Sequence, residues 1–302
     1  ELEVDVVTRA VVRVVHGHPW YRRRPDLLEA RVSQMTLPDG AVLRYEDRGS
    51  GRPLVLLHGV CMSSEFFREQ VGPLAEGHRV VTLDFRGHGR SPACDHGHTV
   101  AQYARDVHHL LEQLELEQTV LIGWSMGSIV TWQYLRQFGV HRLAAQVVVS
   151  QGPSDLKRDD WPLGMLELGE LAELCDAIQE DMAAAFADFA PAMFADALDE
   201  ASRAWVLHEI LQCRPTTATA ILLSQTLPDA RAVLRDLALP TLLVWGRDEK
   251  LVPVAAGEWV RDHVPGSELV VFERSGHCPM LEEPARFNEL VTEFVAGLET
   301  GS

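Results

Sequence analysis

The chain has little positive charge. Lys and Arg number 27 against 44 Asp and Glu, a formal charge of −17 over 302 residues. Nucleic-acid binding requires clustered bases to neutralise phosphates, so this balance argues against that class. Long apolar runs are also missing: none approaches the roughly eighteen residues of a membrane-spanning helix. The five cysteines (Cys61, Cys94, Cys175, Cys213, Cys278) are odd in number and never occur as C-x-x-C. Neither a disulfide framework nor a zinc site is therefore indicated. Residues 1–15 contain acids and lack a cleavage-type signal, so a cytoplasmic setting is expected.

What is present is an ample apolar complement, 46% of the residues, in an alternation of strands and helices. Residues 31–48 alternate and turn at Pro38-Asp39-Gly40, a hairpin signal. The run Pro53-Leu54-Val55-Leu56-Leu57 is apolar throughout, as in a strand buried on both faces. A helix is expected over 64–76, a strand over 79–83, and a helix over 99–116 from the spacing of Val100, Tyr103, Ala104, Val107, Leu110, Leu111 and Leu114. Strands follow over 119–122 and 145–149. This order predicts a doubly wound, mostly parallel sheet of the α/β class, with ligands at the edge formed by the strand ends.

At that edge lies Gly123-Trp124-Ser125-Met126-Gly127, between an apolar strand and a helical run. A serine with glycines at −2 and +2 on a strand-to-helix turn is the nucleophile elbow pattern. The hydroxyl is a weak nucleophile and must stand where a histidine can take its proton. The flanking glycines are needed because side chains there would clash, and the helix start directs free N–H groups at a developing oxyanion.

An acid and then a histidine should follow, each on a loop after a strand. The run 240–246 ends in Gly246 and leads to Arg247-Asp248-Glu249-Lys250; the run 268–272 leads to Gly276-His277. The expected catalytic set is Ser125, Asp248 and His277, with Asp248 preferred to Glu249 and to Asp155. The loop after Leu57, His58-Gly59-Val60-Cys61, supplies the second oxyanion donor. Val60 and Met126 N–H are the expected pair, and Cys61 is read as a small buried residue of the loop wall.

Taken together, His58-Gly59, Asp84-Phe85-Arg86-Gly87-His88-Gly89-Arg90-Ser91, Gly123 to Gly127, Trp245-Gly246-Arg247-Asp248 and Gly276-His277 make the chain resemble an α/β-hydrolase of the esterase, lactonase and non-haem haloperoxidase type. The likeness runs from about residue 32 to the C-terminus. It implies a core in two parts, 31–154 and 229–302, with a helical cap over 155–228 where no strand pattern occurs. Of Trp161, Met165, Leu166, Met182, Phe186, Phe189, Met193, Phe194 and Trp205 in that cap, two or three should face the pocket. The motif 84–91 is read as a structural loop without a catalytic role.

The resemblance implies hydrolysis of a carboxylic ester or lactone of an apolar, mostly neutral small molecule through an acyl-enzyme, with no cofactor and no metal. Peroxide as acceptor, carbon–carbon bond hydrolysis and an acyl-transfer step of secondary metabolism are the alternatives. Trp124 departs from the phenylalanine usual in the perhydrolases and the asparagine usual in the carbon–carbon hydrolases. A non-enzymatic receptor is disfavoured, since serine, acid, histidine and oxyanion loop are all kept. Residues 1–30 fall outside the resemblance. Val4, Val7, Val11, Val12 and Val15 form one stripe of an expected helix, packing on the body or against a second subunit in a homodimer.

Overall fold

Segments that are apolar throughout become central strands, because helices cover both faces of a parallel sheet. The computed structural model describes residues 32–300; the expected helix over residues 1–30 lies outside them. The expected hairpin is β1 (Ser33–Thr36) and β2 (Val42–Gly49), antiparallel in register Ser33 to Tyr45. It continues through β3 (Pro53–Leu57), β4 (Arg79–Asp84), β5 (Thr119–Trp124), β6 (Leu143–Val149), β7 (Thr241–Gly246) and β8 (Ser267–Phe272). These make one sheet in the order β1-β2-β4-β3-β5-β6-β7-β8. Only the pairs β1–β2 and β2–β4 are antiparallel. The α/β reading is therefore right.

Five of the parallel strands end where loops carry chemistry. β3 runs into Val60, β5 into Ser125, β6 into the segment from Ser150, β7 into Asp248 and Glu249, and β8 into His277. Because they run in the same direction, those ends share one edge. Helices α1 (Arg68–Ala75), α2 (Val100–Gln113) and α3 (Met126–Phe138) connect the first strands. Thr99 caps α2, its side chain accepting from Gln102 N–H. The expected helix over 64–76 divides into a short 3-10 turn, Ser64–Phe67, and α1.

Between β6 and β7 the chain leaves the sheet for helices α4 (Leu168–Ala187), α5 (Phe189–Ala192), α6 (Glu200–Ile210) and α7 (Pro215–Thr226). A short α8 (Arg231–Arg235) then leads to β7. The chain closes with α9 (Val254–His263), α10 (Pro279–Glu282) and α11 (Pro284–Thr300). Among the described residues no helix is long and apolar enough to cross a membrane.

The loop 84–91 is held by buried charge. Asp84 accepts from Ser64 N–H at 2.7 Å and from Arg90 N–H and Nε at 3.0 Å. Arg86 forks onto Asp106 through two bonds of 2.7 and 2.6 Å, with both side chains fully buried. Such bidentate pairs resist loss of one partner, because the other charge would stay buried and uncompensated.

Candidate active site

Ser125 sits at φ 52°, ψ −122°, a backbone conformation disfavoured for any residue with a side chain. The elbow exists because both neighbours lack one. A Cβ on Gly127 would lie 2.0 Å from the Leu57 carbonyl oxygen, and one on Gly123 would lie 2.5 Å from Ser128 N. Ser125 N–H donates to Val149 O at 2.9 Å, and Ser128 Oγ donates to Gly123 O at 2.6 Å. Helix α3 begins at Met126, so its N–H is among those that have no partner within the helix. Val60, on the loop after β3, borders the same cavity as Ser125.

His277 is 3% exposed and borders that cavity too. Its loop is fixed from three sides. Trp124 Nε1–H donates to His277 O at 2.8 Å, His277 N–H donates to Met193 O at 2.8 Å, and Gly276 N–H donates to Glu282 Oε2 at 2.8 Å. Trp124, the departure from the usual motif residue, thus anchors the histidine loop to the elbow.

The carboxylate against the histidine is Glu249, and this corrects the expectation of Asp248. Glu249 Oε2 lies 2.8 Å from His277 Nδ1, with the Glu249 side chain fully buried. Its Oε1 accepts from Leu251 N–H at 2.8 Å and Val252 N–H at 3.3 Å. Asp248 is exposed, and its N–H donates to Ser275 O at 3.0 Å. The reason is local. Arg247 N–H is bonded to Phe272 O and Asp248 N–H to Ser275 O, so the chain stays stitched to the end of β8 and the loop after it through residue 248. Only at Glu249 does a side chain reach inward. Two adjacent acids were visible in the sequence; which one faces the histidine depends on this pairing.

Asp155, set aside as the acid, borders the cavity but does not bond the histidine. Its carboxylate accepts from Gln151 Nε2 at 2.6 Å and Gln225 Nε2 at 3.2 Å, not from His277. Burial raises its pKa to about 6, opposed by those two bonds and by the nearby His277.

The cavity has a volume of about 250 Å³. Helices α4 and α7 supply Leu174, Phe186, Leu222 and Gln225, and Phe189 comes from α5. Met165 and Leu166 come from the segment before α4. Four of the nine named apolar residues (Met165, Leu166, Phe186, Phe189) therefore line it. Trp161, Met182, Met193, Phe194 and Trp205 are buried in the core instead. Trp205, for instance, packs on Phe66 with ring centroids 4.8 Å apart. Sequence reasoning missed Gln151, Gln225 and Lys250 as lining residues, because polar residues in helices and turns carry no periodic signal. Lys250 Nζ donates to the carbonyls of Phe194 and Ala195 at 2.7 and 3.1 Å.

A family model for the alpha/beta hydrolase fold matches residues 52–284. A pimeloyl-[acyl-carrier protein] methyl ester esterase of Nitrosomonas europaea is 30% identical over 252 residues, which are 82% of this chain and 97% of that protein. An esterase from Exiguobacterium antarcticum superposes with a TM-score of 0.84 at 27% identity, covering 88% of this chain and 99% of that one. A bromoperoxidase from Bacillus anthracis gives 0.83, also at 27% identity and with the same coverage of each chain. With a matching family model over most of its length, this chain belongs to the alpha/beta hydrolase fold family.

Proposed function

We propose that the protein is a serine hydrolase that cleaves carboxylic esters through an acyl-enzyme, with Ser125 as nucleophile, His277 as general base and Glu249 as the acid. The observation that carries this reading is the strained Ser125 facing the same cavity as His277, whose Nδ1 is held by buried Glu249. Glu249 orients the imidazole with its proton on Nδ1, leaving Nε2 to take the proton of Ser125 Oγ as it attacks the carbonyl. Val60 and Met126 N–H receive the oxyanion; such a donor typically contributes about 2.7–4 kcal/mol to the transition state. His277 then returns the proton to the leaving alcohol, and water attacks the acyl-enzyme with the same base. The names of the esterase relatives support ester hydrolysis.

The helices between β6 and β7 act as the cap, since they supply much of the cavity wall. Leu174, Phe186, Phe189 and Leu222 favour an apolar acyl or alcohol group, and about 250 Å³ lies just below the usual range of roughly 300–1,000 Å³ for ligand pockets. A compact, neutral ester fits best. Arg158, Arg203 and Arg214 of the insert do not line the cavity, and the ammonium of Lys250 already donates to two carbonyls, so among the described residues no uncommitted Lys or Arg faces it.

The test is a panel of p-nitrophenyl and aliphatic esters and lactones, run with and without hydrogen peroxide, together with a fluorophosphonate probe. Wild type should hydrolyse butyrate faster than the succinate monoester, and the probe should label Ser125 alone. Labelling elsewhere, or S125A with wild-type turnover, would overturn the assignment. Peroxide-dependent products would identify peroxide as a competing acceptor.

A further inference from the structure

Three soft donor groups that the proposed chemistry does not use meet inside the protein. Cys61 follows Val60 on the loop after β3, His88 lies on the loop after β4, and Cys213 lies between α6 and α7. Their exposures are 0%, 0% and 3%. The two Sγ atoms and a ring nitrogen of His88 all lie within 4.8 Å of one another, and His88 Nε2 is 3.9 Å from Cys213 Sγ. Among the described residues this is the one such group of three or more histidine, cysteine or acidic side chains. The absence of C-x-x-C spacing argued against a zinc site; these donors come from three distant segments, which local spacing does not register.

We propose that Cys61, His88 and Cys213 bind one thiophilic divalent cation of the zinc class, joining the helical insert to the loop that carries Val60. Two thiolates and an imidazole are the donor set such ions select. Bond lengths of about 2.3 Å to sulfur and 2.0–2.1 Å to nitrogen place S and N about 3.5–3.6 Å apart at a tetrahedral ion, so the 3.9 Å contact has to close by a few tenths of an ångström.

The imidazole is already arranged as a ligand. His88 Nδ1 lies 3.1 Å from Arg86 O, and donation to that carbonyl leaves the Nε2 lone pair toward Cys213. A backbone acceptor on the other ring nitrogen is the usual support of a metal-bound histidine. On binding, both sulfurs coordinate as thiolates, two thiol protons pass to solvent, and the dication leaves the site neutral. No electron is transferred.

The experiment is a Co(II) titration of reduced, chelator-treated full-length protein. A thiolate-to-metal charge-transfer band should rise in the near ultraviolet and saturate at one equivalent per chain. The band should be absent in C61S and in C213S and retained in C175S. X-ray absorption of the wild-type complex should show two sulfurs and one imidazole nitrogen, a readout that does not depend on the variants folding. Zn(II) should bleach the band and, at about 100-fold excess over its Kd, raise Tm by about 5 °C. Absence of the band in wild type, a band that survives in folded C213S, or an oxygen-dominated shell would each overturn the site. So would a reduced protein that takes up no metal but forms a Cys61–Cys213 disulfide with diamide.

Discussion

Replacing Glu249 by Gln tests the acid assignment with a variant of nearly the same shape. In the wild type, Oε1 accepts from the Leu251 and Val252 N–H groups while Oε2 faces His277 Nδ1. A glutamine must keep its oxygen toward the two backbone donors, since turning its NH2 onto them would forfeit both bonds at about 1–3 kcal/mol each. Its NH2 therefore points at His277 Nδ1, which has to become the acceptor. The ring proton moves to Nε2, the tautomer that cannot take a proton from Ser125. The expected loss in kcat is about 10⁴, or about 5.5 kcal/mol of barrier. KM should change little, because the substitution leaves the wall of the cavity in place. D248N, at an exposed position, should retain activity within about twofold. The assay is steady-state hydrolysis of a p-nitrophenyl ester, with circular dichroism to show that both variants fold. A large loss in D248N alongside a mild effect in E249Q would refute the reasoning and restore Asp248.

Further outcomes follow from the same geometry. Burial raises the Asp155 pKa from the ordinary aspartate value of 3.8 to about 6. Stability should therefore fall as pH rises between about 4 and 6 and stay level above, a change of about 3 kcal/mol. D155N removes that dependence, so urea melts should show its stability relative to wild type rising by about that amount from pH 4 to pH 8. A difference that does not vary with pH would show that Asp155 is not shifted. W124F keeps a ring against Phe66 but removes the bond to His277 O. We expect a loss of about 1–2 kcal/mol in stability and a fall in kcat exceeding any change in KM; unchanged kcat would remove Trp124 as an anchor. G127A places a Cβ 2.0 Å from the Leu57 carbonyl oxygen in a buried strand. It should cost about 3 kcal/mol or more, or abolish soluble expression, and a wild-type Tm would show that α3 can shift freely.

Local sequence determined the elements and the glycines. The short apolar runs of β3, β5, β6 and β7 read as strands, and the sheet bears that out. The elbow was legible because Gly123 and Gly127 are demanded by contacts within one strand, turn and helix and with the adjacent β3. His277 was legible because a glycine-histidine pair follows a strand end. What tertiary structure decided were choices between equivalent residues. Asp248 and Glu249 are both acids after the same strand, and the hydrogen bonds of Arg247 to the end of β8 and of Asp248 to the loop after it set which one turns inward. Met165, Phe186 and Phe189 face the cavity while Met182 and Trp205 do not, because helix packing selects among apolar residues that sequence periodicity treats alike. Asp155 meets Gln225, and Cys61 and His88 meet Cys213, only because the helical insert folds back onto the body. Such encounters leave no trace in local spacing, since the groups are brought together by the packing of distant segments.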